Sequence, residues 1–173
     1  MEKKTVLFVD DEPDRVDIYV DELKFSGWNV IFENNLRNAE NIIKARKNEI
    51  NILILDVMMP IDPKILFEDT DWFGLRQETT FTGIAFYSYL LRNNLITNIP
   101  VLIFTNNPVD SIPEGVYDGV ENFIDIRVKT NVLPHDLPEI INNLLEKYNK
   151  ADKPNIIIDK MLHFFQSIKG LFK

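Results

Sequence analysis

The stretch Val6-Leu7-Phe8-Val9-Asp10-Asp11-Glu12 (VLFVDDE) runs from four apolar residues straight into three carboxylates. A run this short, apolar throughout and rich in β-branched and aromatic side chains, reads as a strand buried on both faces. Three more runs share the character: Ile52-Leu53-Ile54-Leu55, Val101-Leu102-Ile103-Phe104 and, less purely, Phe123 to Val128. A fifth, Trp28-Asn29-Val30-Ile31-Phe32, is more mixed and suits a strand nearer an edge. Helical periods lie between them. Val16, Val20, Leu23 and Lys24 lead to a stop at Ser26-Gly27, and Leu36, Ala39, Ile42 and Ile43 lead to Ala45-Arg46. Ile84, Phe86, Tyr87, Leu90 and Leu91 form a third helix, and Ile140, Ile141, Leu144, Leu145 and Tyr148 another. Strand and helix in alternation imply right-handed crossovers: an α/β, doubly wound parallel sheet with helices on both faces.

In open parallel sheets, ligands bind beyond the carboxyl ends of the strands. Here those ends carry Asp10-Asp11, Asp56, Thr105 and, after the last strand, Lys129. Clustered carboxylates repel one another and call for a hard divalent cation such as Mg2+, which takes a few carboxylates plus water and phosphate oxygens. A carboxylate is also a nucleophile towards phosphorus, giving an acyl phosphate. A Thr hydroxyl and a Lys ammonium would then supply hydrogen bonds and charge to the phosphoryl oxygens.

Composition narrows the rest. The 173 residues suit one domain plus a remainder, taking roughly 150 residues per domain, with enough chain for a sizeable core. There is no Cys, which excludes disulfides and thiolate sites, and only two His, His135 and His163, which excludes a multi-histidine zinc centre. The net charge of -8 makes nucleic acid a poor default partner. Apolar runs of four or five residues fall far short of the roughly 20 that a membrane span needs, and Lys3-Lys4 followed by so brief an apolar stretch is no signal peptide. The expectation is a cytoplasmic globular protein.

The motifs VLFVDDE at 6–12, LILDVMMP at 53–60, VLIFTN at 101–106 and Lys129 together resemble the response-regulator receiver domain of two-component signalling, chemotaxis regulators included. The resemblance spans about residues 4–149, and its motifs come in the family's order. It implies a flavodoxin-like five-stranded sheet of order 2-1-3-4-5. It also implies that Asp56 is phosphorylated and that Asp10, Asp11, Asp56 and the Met58 backbone carbonyl hold Mg2+. Thr105 would be the switch hydroxyl, and Lys129 would contact the phosphoryl group. The partners implied are a histidine kinase or phosphotransfer protein and a downstream protein. No enzyme activity is expected beyond the chain's own phosphotransfer and autodephosphorylation.

The sequence departs from that family in four places. The Gly that opens the third helix usually follows the phosphorylated Asp by about eight residues, whereas Gly83 follows Asp56 by 27, an insertion of 19. The small residue expected after Thr105 is Asn106, the aromatic expected three before Lys129 is Ile126, and the Pro expected after it is Thr130. The chemistry looks intact while the relay to an output face is altered. A phosphorylation-independent interaction module is therefore the alternative. An Asp-nucleophile phosphatase is a weaker third reading, because the second Asp such enzymes carry two residues on is here Met58.

Two segments lack regular rhythm. Residues 61–82 are far longer than ordinary loops of about 4–6 residues, and Trp72-Phe73 within them suit either packing onto the domain or a lid or epitope beside Asp56. Residues 106–121, with Pro108, Pro113, Gly115 and Gly119, predict a short or distorted crossover helix. His135 reads as a surface residue, and His163 lacks the helical bundle that a phosphotransfer histidine needs. After a linker at 150–155, residues 156–173 predict an amphipathic helix with Ile157, Met161, Phe164, Phe165, Ile168 and Phe172 on one face. That stripe has three open fates: packing on its own domain, a homodimer, or a membrane surface or partner protein. A tail this short leaves no room for an output domain, so output through protein contact is expected.

Overall fold

β-branched and aromatic side chains stack best on a pleated surface covered from both sides, and the strands here alternate between two cores. The computed structural model describes residues 3–60, 82–96, 99–106 and 123–151. In chain order the elements are β1 (Thr5–Val9), α1 (Pro13–Phe25), β2 (Asn29–Glu33), α2 (Leu36–Arg46), β3 (Ile50–Leu55), α3 (Thr82–Arg92), β4 (Val101–Thr105), β5 (Ile124–Val128) and α4 (Leu137–Lys150). The strands form one parallel sheet in the order β2-β1-β3-β4-β5. This is the doubly wound α/β architecture that the sequence predicts.

Val6, Phe8, Ile52, Ile54, Leu102 and Phe104 point into one core with Val16, Val20 and Leu23 of α1 and Leu137, Ile141 and Leu144 of α4. Leu7, Val9, Leu53, Leu55, Val101 and Ile103 point into the other, with Ala39 and Ile43 of α2 and Ile84, Phe86 and Leu90 of α3. β2 lies at one edge and is only half covered, in keeping with its mixed sequence.

Three boundaries differ from the sequence reading. Trp28 is buried but precedes β2, because its N–H is already used: it donates to Leu23 O while Gly27 N–H donates to Lys24 O. These two bonds form a Schellman closure of α1, with Gly27 in the left-handed region at φ 91°. Thr105 belongs to β4 itself rather than following it. Thr82, assigned to the insertion by sequence, is the first residue of α3. The rest of the insertion, the crossover at 107–122, His163 and the C-terminal segment lie outside the described residues. Among the described residues, no helix is long and apolar enough to cross a membrane.

Candidate functional site

Parallel register brings the strand-end carboxylates together. Val9 pairs with Leu55, and the ladder continues one step further: Asp56 N–H donates to Val9 O and Asp10 N–H to Glu33 O, each at 3.0 Å. The only irregularity between β1 and β3, at Thr5/Val6, lies at the far end of the sheet. Asp10 and Asp56 are therefore neighbours by backbone geometry, whatever their charges prefer. Carboxylate oxygens of Asp10, Asp11 and Asp56 all lie within 4.8 Å of one another. Asp10 and Asp56 are buried and Asp11 half-buried.

Lys129 opens a short 3-10 turn after β5 and is itself buried. Its Nζ donates to Asp10 Oδ2 at 2.5 Å and stands 3.3 Å from Asp56 Oδ1. The second contact pairs charge but is not aligned as a hydrogen bond, so among the described residues the buried Asp56 Oδ1 finds no hydrogen-bond donor. Glu12 N–H donates to Asp10 Oδ1 at 3.0 Å and fixes that carboxylate from the other side. Burial raises the Asp10 carboxyl above its ordinary value, although the Lys129 ammonium pulls it down. Burial also raises Asp11, with the Asp56 charge adding to the effect.

Thr105 is fully buried at the carboxyl end of β4, which pairs with β3 through Ile103 and Leu55. It therefore ends its strand on the same edge of the sheet as Asp56. Met58 lies two residues beyond Asp56, with its side chain largely exposed. The four side chains predicted from sequence at this edge, with Lys129, thus converge on one end of the sheet. His135 is exposed, with its Nε2 3.4 Å from neighbouring Asp136, as a surface residue would be.

Three carboxylates against one ammonium leave two negative charges, which a divalent cation would balance. All the donors are hard oxygens, and the orphaned Asp56 Oδ1 offers one without a competing hydrogen bond. The residues present fit Mg2+.

Two residues of this site escape the sequence reading. Tyr19, half-buried on α1, donates its hydroxyl to Lys129 O at 3.0 Å and Val132 O at 2.9 Å. Its ring packs edge-on against Phe104 at 5.0 Å, next to Thr105. A tyrosine on the flank of an apolar helical stripe is the signal that could have found it, since a buried phenol normally has a partner. The other is Thr82. Its hydroxyl accepts from Met59 N–H at 2.7 Å and contacts the carbonyl oxygens of Met59 and Val57.

No protein-family model and no curated protein matches the chain. Solved structures do match. A CheY-like response regulator receiver domain protein from Methanospirillum hungatei JF-1 is 21% identical, with 86% of this chain and 98% of that chain covered, at a TM-score of 0.57. The fold is that of a receiver domain. The Vibrio cholerae chemotaxis protein CheY4 is 21% identical over 83% of this chain and 99% of its own, at a TM-score of 0.58. The Salmonella typhimurium RcsB response regulator is 22% identical over 94% of this chain and 68% of its own, at 0.61. Within the receiver fold, the acidic cluster stands at the carboxyl ends of β1 and β3, where an open α/β sheet binds its ligands.

Proposed function

We propose that the chain is a phosphoacceptor response regulator in which Asp56 takes a phosphoryl group from a phosphohistidine of a histidine kinase or phosphotransfer protein. The observation that carries this reading is the cluster of Asp10, Asp11 and Asp56 with Lys129 set between two of its carboxylates. An Asp56 oxygen forms the new bond to phosphorus, the bond from phosphorus to the donor imidazole nitrogen breaks, and the imidazole keeps that electron pair. Hydrolysis reverses the state: water attacks phosphorus, inorganic phosphate leaves and the Asp56 carboxylate returns. Asp10, Asp11, Asp56 and the Met58 carbonyl would hold Mg2+, which when bound offsets the charge of the carboxylates and the phosphoryl oxygens. Lys129, freed from Asp56 as the carboxylate becomes an ester-like acyl phosphate, pairs with a phosphoryl oxygen, and the Thr105 hydroxyl donates to another.

Output passes to a downstream protein. The chain is not an enzyme towards any other substrate, and we place residues 1–149 in the receiver domain, with 156–173 as an appended amphipathic helix. A cytoplasmic setting follows from the same reading.

One observation favours a phosphorylation-independent module as the second reading. Ile126, where the family carries a switching aromatic, is buried in the core that also holds residues of α2 and α3. It has no aromatic ring or hydroxyl to reorient.

Intact-mass measurement after treatment with a small acyl- or amidophosphate donor separates the two. The phosphoacceptor reading expects one added phosphoryl group that requires Mg2+ and is absent from Asp56→Asn. Unchanged uptake in that variant, or full uptake in excess chelator, would refute it.

A further inference from the structure

We infer that Thr82 is a positioning residue for the magnesium site, its hydroxyl clasping the Val57–Met59 backbone and so fixing the Met58 carbonyl. The inference rests on the preceding reading of that carbonyl as a ligand. Met59 and Thr82 are 23 residues apart in sequence, so no local turn can hold them together. The hydroxyl does so by serving Met59 twice: it accepts from the N–H at 2.7 Å and donates towards the carbonyl at 2.5 Å, with Val57 O a further 3.3 Å contact. The residue is buried, so water offers these backbone groups no substitute partner.

Its neighbour completes the grip. Gly83 N–H donates to Val57 O at 2.8 Å, and a Cβ on Gly83 would stand 1.8 Å from Asp56 O. The first turn of α3 therefore presses on Asp56, Val57 and Met59 in turn, and Met58 is held between fixed points on both sides. A ligand carbonyl gains affinity when its backbone is ordered before the metal arrives, because that ordering is not charged to binding. The clasp joins the last described residues before position 61 to the first described residues after position 81.

The test is calorimetric titration of Mg2+ into the full-length protein and its variants, with melting in chelator measured alongside. Thr82→Val keeps the shape and removes both hydrogen bonds; it is expected to weaken Mg2+ binding about tenfold, the loss of roughly one net hydrogen bond. Thr82→Ser retains the hydroxyl and is expected to bind within about twofold of wild type. Should the Val variant not fold, Thr82→Cys, with its weak sulfhydryl, is expected to lie between the two. A lowered melting temperature with unchanged Mg2+ affinity in Val or Cys would overturn the inference and leave Thr82 a purely structural clasp. Wild-type protein that takes up no Mg2+ at millimolar concentration would overturn the magnesium reading and the inference with it.

Discussion

The Lys129 ammonium stands between two carboxylates that the parallel ladder forces together, and the balance of burial against pairing governs how the site titrates. Burial raises Asp10 and Asp11 above the ordinary 3.8, so the folded chain holds those protons more tightly than the unfolded chain. Their contribution to stability is therefore fully present below the unfolded value and is lost as pH rises through the raised folded values. In chelator, the stability of wild type relative to Asp10→Asn is expected to fall as pH climbs from about 4 towards neutrality. Thermal melts across that range check it; a relative stability that climbs with pH would contradict the assignment. Mg2+ competes with the same protons, so its stabilising effect should grow over the same interval. Tyr19 acts on the site from outside by holding the Lys129 turn through two carbonyls. Tyr19→Phe keeps the ring contact with Phe104 and is expected to cost about 1 kcal/mol in urea unfolding.

At the scale of elements, α3 begins where the site loop needs it. Gly83→Ala would drive a Cβ into the Asp56 carbonyl, and the helix or the loop must move. A destabilisation of about 1–3 kcal/mol, typical of overpacking, is expected together with slower phosphoryl uptake; urea midpoints and the uptake rate measure both. A Gly83→Ala protein of wild-type stability would mean that α3 is not anchored on Asp56. Which parts of this were legible in the sequence follows from the range of the interactions. Strand cores and helix faces show as local periodicity, so β1, β3, β4 and the stripes of α1 and α4 can be read directly. The carboxylate cluster is legible too, because each member ends a run that is itself recognisable. Trp28 misleads because its strand-like side chain belongs to the closure of α1, decided by a backbone bond to Leu23. Thr82 leaves no local trace, and Tyr19 shows only as a phenol beside an apolar stripe with its partner unnamed, since their partners lie 23 and 110 residues away.

The whole molecule carries a net charge of -8, yet residues 151–173 hold four Lys and two Asp, and the helix we propose there would align Phe and Ile in a stripe. Contiguous apolar stripes of that kind are seldom left open to water. Truncation at Ala151 is expected to lower the assembly state seen by light scattering, in keeping with a dimer joined through this segment. An unchanged assembly state would remove that role, and vesicle binding by the full-length chain alone would assign the stripe to a membrane surface. The central claim, however, is that one carboxylate of this receiver fold accepts phosphate. It is tested most directly by trapping the product: the phosphorylated protein is reduced with borohydride, which converts an acyl phosphate to an alcohol, and the peptides are sequenced by mass. Homoserine at position 56, dependent on Mg2+ during phosphorylation, is the predicted result. Homoserine at any other aspartate, or none at position 56 after treatment with donor and Mg2+, would contradict it.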